Sequence, residues 1–191
     1  EIDMKDVKGE VLHDGLWTMA VLPAGGLAGP WWWDKQIQPN KLERRFEPVA
    51  DFLKGSDPRG KAFRVIDQTI RLGDSRVNVL GRISSSEAYL WLYKVDPEPE
   101  YLRDEEDVLV PANSRLALAN LLSGRYKVAY FNTDTGKVLG DEDASTQSGT
   151  VVLSLPESQA DLAVRLRFQG DSRPHIVPTI DAGDRTGTAG D

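Results

Sequence analysis

The chain has 191 residues, of which 23 are Lys or Arg and 30 are Asp or Glu, for a net charge of −7. That balance, with no cluster of basic residues, argues against nucleic acid or an anionic membrane surface as a partner. There is no cysteine, which excludes disulfides and thiolate chemistry, and no apolar run reaches the length of a membrane span.

Residues 1–55 read as helix, strand, helix. The opening Glu1-Ile2-Asp3-Met4-Lys5 resembles the interior of a longer protein, with no signal peptide. Leu12, Leu16 and Met19 recur at helical spacing, with Trp17 and Ala20 beside them. Pro23 and Gly25-Gly26 end that helix. Gly29-Pro30 launches a short strand, 31–33, made of Trp31, Trp32 and Trp33 and closing on Asp34. Successive strand residues point to opposite sides, so three indoles in a row cannot all face one core. At least one ring must meet a second layer, a subunit or a ligand. Indole faces suit the apolar faces of sugar rings; a core strand between two packed layers is the plainer reading, and the run by itself favours it. A strand apolar on both faces belongs in a buried parallel sheet.

After a loop through Pro39, Asn40 opens the next helix, with Glu43 three residues on as in a capping box. Leu42, Phe46, Val49 and Leu53 form one apolar stripe. Pro48 lies inside the stripe and should kink it, and Gly55 stops it.

From residue 61 the period changes to two. Strands are expected at 63–72, 76–83, 88–95, 107–111, 115–120, 126–131, 150–155 and 162–168. Gly73-Asp74, Ser84-Ser85-Ser86, Ser123-Gly124 and the polar stretch 132–136 punctuate them. Many short strands so spaced suggest an antiparallel sandwich. Tyr89, Trp91 and Tyr93 share one face, as core in preference to a stacking platform for glycan. Residues 169–191 carry few apolar side chains and read as a flexible tail.

One strand between two helices would have two unpaired edges, and alternating helix and buried strand is the grammar of an α/β barrel or doubly wound sheet. The expected fold class is therefore an α/β barrel fragment (1–55, the last helix-strand-helix of a TIM barrel) followed by an all-β antiparallel sandwich (61–168). The barrel's other strands would come from a remaining barrel segment or another chain. Residues 1–55 should not be stable alone, whereas 61–168 should fold independently.

Other motifs carry less. His13 and His175 are the only histidines, with no third ligand at zinc spacing, so no metal is expected; His13 caps or packs at a helix start. Gly-x-Ser-x-Gly is absent. The stretch Gly25-Gly26-Leu27-Ala28-Gly29 lacks the Lys and Ser/Thr of a phosphate loop, and no cofactor is expected. The acidic stretch from Asp96 to Asp107 lacks the alternation of a calcium loop and reads as solvated.

The order Leu12-His13-Asp14-Gly15-Leu16-Trp17, Gly25-Gly26, Trp31-Trp32-Trp33-Asp34, Pro39-Asn40-Lys41-Leu42, Phe46, Pro48, Ala50-Asp51-Phe52 resembles the end of a (β/α)₈ glycoside hydrolase. The likeness is to the retaining clan related to cellulases and mannanases, especially glycosidases with a β-sandwich after the barrel. A phrase like Tyr130-Phe131-Asn132-Thr133-Asp134-Thr135-Gly136 stands near the end of that sandwich. The resemblance covers about residues 7–168. It implies an extracellular or cell-surface protein with carbohydrate as partner, acting through two glutamates about 5–5.5 Å apart. Those glutamates would lie upstream of this chain. Glu1 has about the nucleophile's place in the order, while Glu10 reads as a first-turn residue favoured by the helix dipole. Trp31, Trp32, Trp33 and Asp34 are the implied substrate-binding residues; no catalytic residue is assigned. The alternatives are a non-enzymatic structural or glycan-binding surface module, or a subunit of a larger assembly.

Overall fold

The computed structural model describes residues 6–22, 33–94 and 108–170. Among the described residues, eight strands follow two α-helices: α1 (Glu10–Val21), α2 (Phe46–Leu53), β1 (Arg64–Leu72), β2 (Ser75–Ile83), β3 (Glu87–Lys94), β4 (Arg115–Leu118), β5 (Gly124–Asn132), β6 (Val138–Thr146), β7 (Val151–Ser154) and β8 (Leu162–Phe168). Six strands form one sheet in the order β1-β2-β3-β8-β5-β6, and β4 pairs with β7 in a second, small sheet. Every pairing between these strands is antiparallel.

The period-two pattern sorts side chains to the two faces of the large sheet. On β3, Ala88, Leu90 and Leu92 face the small sheet and pack with Val128, Tyr130, Val151, Leu153, Val164 and Leu166. Tyr89 and Trp91 face the other way, where α1 and α2 lie. There Leu12, Leu16, Trp17 and Ala20 of α1, with Val49 and Phe52 of α2, join Tyr89, Trp91, Phe131 and Ala163 in a second core. Phe52 sits at its centre, its ring edge-on to both Tyr89 (5.9 Å) and Phe131 (5.5 Å). The protein is thus three layers: helices, large sheet, small sheet.

This overturns the expected barrel fragment. Among the described residues before Arg64 there is no strand. Trp31 and Trp32 lie outside the described residues, and Trp33 opens a single π-type turn, Trp33–Ile37. Trp33 is 52% exposed. In that turn the adjacent pair Gln36 and Ile37 is buried while Trp33, Asp34 and Lys35 are open, a distribution that helical rotation produces and strand alternation does not. The apolar stripes of the helices need no strands from a barrel segment or another chain, because the aromatic face of the antiparallel sheet already covers them.

Local signals around α2 also resolve differently. Asn40 donates from Nδ2 to the Gln36 carbonyl at 2.8 Å, closing the preceding turn instead of opening the next helix. A 3₁₀ turn (Leu42–Arg45) leads into α2. Pro48 falls in the first turn of α2, where its missing N–H has no intrahelical partner to lose, so it starts the helix and does not kink it. Gly55 does stop it, with φ 70°. α1 takes its cap from Asp6, whose carboxylate accepts from the N–H groups of Glu10 (2.7 Å) and Leu12 (3.2 Å).

The strand missing from the sequence reading is β6. Its residues are mostly exposed or half-buried, and Asp141, Glu142 and Asp143 hide its period. It is held by partners on other strands: Lys127 pairs with Asp141 and Asp143, and the Tyr130 hydroxyl donates to Glu142 at 2.6 Å. Of the expected 107–111 strand, the described residues 108–111 form one bridge, Val110 with Ser158.

Candidate functional site

The antiparallel pairing decides where polar residues gather. β3 and β5 both run opposite to β8, so both end where β8 begins; Leu92 and Asn132 each face Leu162. Residues at the end of β3, just past the end of β5 and just before β8 therefore meet at one edge of the sheet. These are Tyr93 and Lys94, Thr133 and Asp134, and Asp161. The first turns of α1 lie over that edge and add Glu10, His13 and Asp14. All of these but Thr133, with Arg45 and Ala160, line a cleft of about 470 Å³.

The turn at 132–136 is built by its own side chains. The Asn132 carboxamide oxygen accepts from the N–H groups of Asp134 (3.1 Å) and Thr135 (2.9 Å), as an Asx-turn does. Gly136 closes it with φ 69°, and a Cβ there would sit 2.9 Å from Pro48 Cα. The turn is thus pressed against α2. Trp17 secures it from α1, donating from Nε1 to the Thr133 carbonyl at 3.1 Å.

At the back of the cleft Trp91 and Tyr93, two apart on β3, stack with ring centres 4.2 Å apart. Trp91 is buried and donates from Nε1 to Asp161 Oδ2 at 3.1 Å; half-buried Tyr93 reaches the cleft. His13 lies between two carboxylates, Nδ1 3.8 Å from Asp134 and Nε2 3.8 Å from Asp161. It is 8% exposed. Arg45 pairs with Asp134 and donates to the Lys8 carbonyl at 3.1 Å. Partial burial raises the Asp14 carboxyl above its ordinary pKa; His13 opposes the rise, and Asp161, Glu10 and Asp6 add to it. Burial likewise raises the Tyr93 phenol.

Among the described residues no group of His, Asp or Glu is arranged to hold a metal ion, and no helix is long and apolar enough to cross a membrane. The cleft can offer carboxylate acceptors, a guanidinium, an ammonium and an aromatic wall.

Of the residues singled out from the sequence, Trp33 and Asp34 are exposed, and the Trp33 ring rests against Phe46 with centres 5.8 Å apart. Neither lines the cleft. His13, expected at a helix start, is buried in the first turns of α1. The sequence marks neither Arg45 nor Asp161 as a site residue, and it holds Asp134 only within the 130–136 phrase. One signal could have found the last two: each sits at the end of an expected strand, 126–131 or 162–168, and antiparallel order brings those ends together.

No family model matches this chain, and no curated protein does. A solved structure named "Glycoside hydrolase" aligns with TM-score 0.37 and 10% identity over 79% of this chain. The chain spans 31% of that protein's length. At that level of likeness neither fold nor function transfers.

Proposed function

We propose that this chain is a carbohydrate-binding module of a glycan-active protein, seating a glycan in the cleft between α1 and the turn at 132–136. The observation that carries the reading is the meeting of His13 and Asp14 with Asp134. They come from the two separate segments that resemble glycoside hydrolases, and they line one cleft, with His13 Nδ1 3.8 Å from Asp134. Sugars are recognised by carboxylates and amides that accept from hydroxyl groups, beside an aromatic ring that covers an apolar ring face. Asp14, Asp134 and Asp161 supply the acceptors and Tyr93 the ring. In this proposal hydrolysis by a retaining pair of glutamates belongs to residues outside this chain, and the exposed ring of Trp33 with Asp34, adjoining Trp31 and Trp32, is a second contact for the same glycan.

A second reading is structural. Arg45 already engages Asp134 and the Lys8 carbonyl, so the same residues could serve only to clasp the helical layer to the sheet. Affinity electrophoresis in gels containing soluble β-glucan, mannan or xylan separates the two. Retarded migration of the full chain, lost in Tyr93→Ala and reduced in Trp33→Ala, is the expected result. Unchanged migration in every gel would leave the clasp.

A further inference from the structure

We propose that β1 pairs edge to edge with β1 of a second copy of this chain, antiparallel and about a two-fold axis at Thr69, so that the large sheet continues from one copy into the other. Among the described residues β1 ends that sheet on one side and β6 on the other. β1 is nine residues long, holds no Pro, Gly or Lys, and pairs with β2 over its whole length without a register shift. It thus lacks the devices that keep exposed edges from pairing.

The hairpin fixes which residues of β1 can bond outward. Gly73, with φ 59°, and Asp74 form a two-residue turn. Leu72 and Ser75, which face each other across it, therefore exchange both backbone hydrogen bonds. Bonded and non-bonded pairs alternate along an antiparallel ladder. Ile70, Gln68 and Ile66 thus also bond to β2, while Arg71, Thr69, Asp67 and Val65 turn their N–H and C=O groups outward. The Ser84 N–H, which donates to the Glu87 carbonyl at 2.8 Å, agrees: even-numbered residues of β2 bond toward β3 and odd-numbered ones toward β1. A symmetric antiparallel pair sets one residue opposite its own copy, and here that residue must be one of the outward four.

Charge then selects the register, since opposite charges across strands attract and like charges repel. Centred on Asp67 or Arg71, the pair sets like charges face to face. Centred on Val65, it leaves residues 68–72 opposite no strand. A parallel symmetric pair sets Asp67 on Asp67 and Arg71 on Arg71. Centred on Thr69, Asp67 stands opposite Arg71 of the second copy and Arg71 opposite its Asp67, and Ile66 stands opposite Leu72. A second observation points the same way. Within one copy Arg71 already faces Arg76 on β2, and both are exposed, so Asp67 of the second copy brings a carboxylate to a like-charged pair. The β6 edge is guarded by contrast. Registers centred on Asp141, Glu142 or Asp143 set acid on acid, and its pairing with β5 is irregular at Phe131.

The test is sedimentation velocity of the full chain over a concentration series, where a monomer–dimer equilibrium is expected. Thr69→Pro removes an outward N–H that the β1–β2 ladder does not use. Arg71→Asp and Asp67→Arg each set like charges opposite one another. Each of the three should weaken dimerisation at least about tenfold, with circular dichroism unchanged from the parent. The two charge variants mixed together should form a mixed dimer, and Asp67→Arg with Arg71→Asp in one chain should dimerise like the parent. That rescue separates a lost contact from a damaged fold. A chain that stays monomeric up to about 1 mM overturns the proposal. So does a dimer indifferent to Arg71→Asp and Asp67→Arg, or a loss that neither the mixture nor the double variant restores. Open-ended growth into larger species, as β1 docking on β6 of the next copy would produce, overturns it as well.

Discussion

The guanidinium of Arg82 lies 4.5 Å from the centre of the Tyr89 ring, directly opposite it in the β2–β3 register. From that position Nη1 donates at 2.8 Å to the carbonyls of Ala20 and of Leu22, at the C-terminal end of α1. On the other side of Tyr89 in the same row stands Arg165, which donates to the Phe52 carbonyl at 2.6 Å, at the end of α2. Arg167 adds a bond to the Lys54 carbonyl at 2.9 Å. Neither helix has a basic residue in its own last turn. Sheet arginines thus supply the cations that unsatisfied helix C-terminal carbonyls attract.

Arg82→Met should therefore destabilise the fold by about 2–4 kcal/mol, since it leaves buried carbonyls without a donor and removes a charge-assisted pair of hydrogen bonds. Arg82→Lys should recover only part, because one ammonium does not reproduce the planar fork. Urea unfolding of both variants checks this; a loss under about 0.5 kcal/mol for Arg82→Met, the range of an ordinary surface change, would show that the helix ends are satisfied without it.

The second core bears on whether residues 61–168 fold alone. Tyr89, Trp91 and Phe131 are at most 3% exposed, and helices cover them. A truncated chain of 61–168 would present that aromatic face to water, a patch of the kind that drives association. It is expected to bind a hydrophobic dye and to sediment as aggregates. A monomeric species with sharp cooperative unfolding and no dye binding would show that the sheet is self-sufficient.

Gly136 and Gly140 offer a matched comparison. Gly136 has φ 69° and no room for a Cβ beside Pro48, whereas nothing lies within 4 Å of a Cβ at Gly140. Gly136→Ala should cost about 1–3 kcal/mol through strain at positive φ, and should loosen the cleft wall that carries Asp134. Gly140→Ala should fall within about 0.5 kcal/mol of the parent. Thermal melts of the two variants, side by side, decide it; equal effects would mean that the turn yields freely.

The raised Asp14 carboxyl gives a pH dependence with a definite sign. The folded chain holds that proton more tightly than the unfolded chain, so the group favours folding below the ordinary value of 3.8 and the benefit is lost as pH rises through the raised value. Asp14→Asn removes an ionisation penalty. It should melt higher than the parent at neutral pH and show no such gain below pH 3.8. A lower melting temperature at neutral pH would mean that the ionised carboxylate has a stabilising partner.

The amino-acid sequence by itself determined most of the sheet. Strands β1, β2, β3, β5 and β8 fall where two-residue alternation places them, because a sheet packed on its faces forces that alternation on the chain. It also marked both helices by their apolar stripes, and the stop at Gly55. It did not determine what those stripes pack against. A helix with one apolar face satisfies a barrel and an antiparallel sheet equally well, since burial is non-directional. Only the register across β2, β3, β8 and β5, which lines up Tyr89 with two arginines and Trp91 with Phe131 through Ala163, settled it. The cleft followed the same rule. Asp14, Asp134 and Asp161 are far apart in the chain and individually ordinary; antiparallel pairing brings the end of β5 to the start of β8, α1 packs over that edge, and together they gather the three charges.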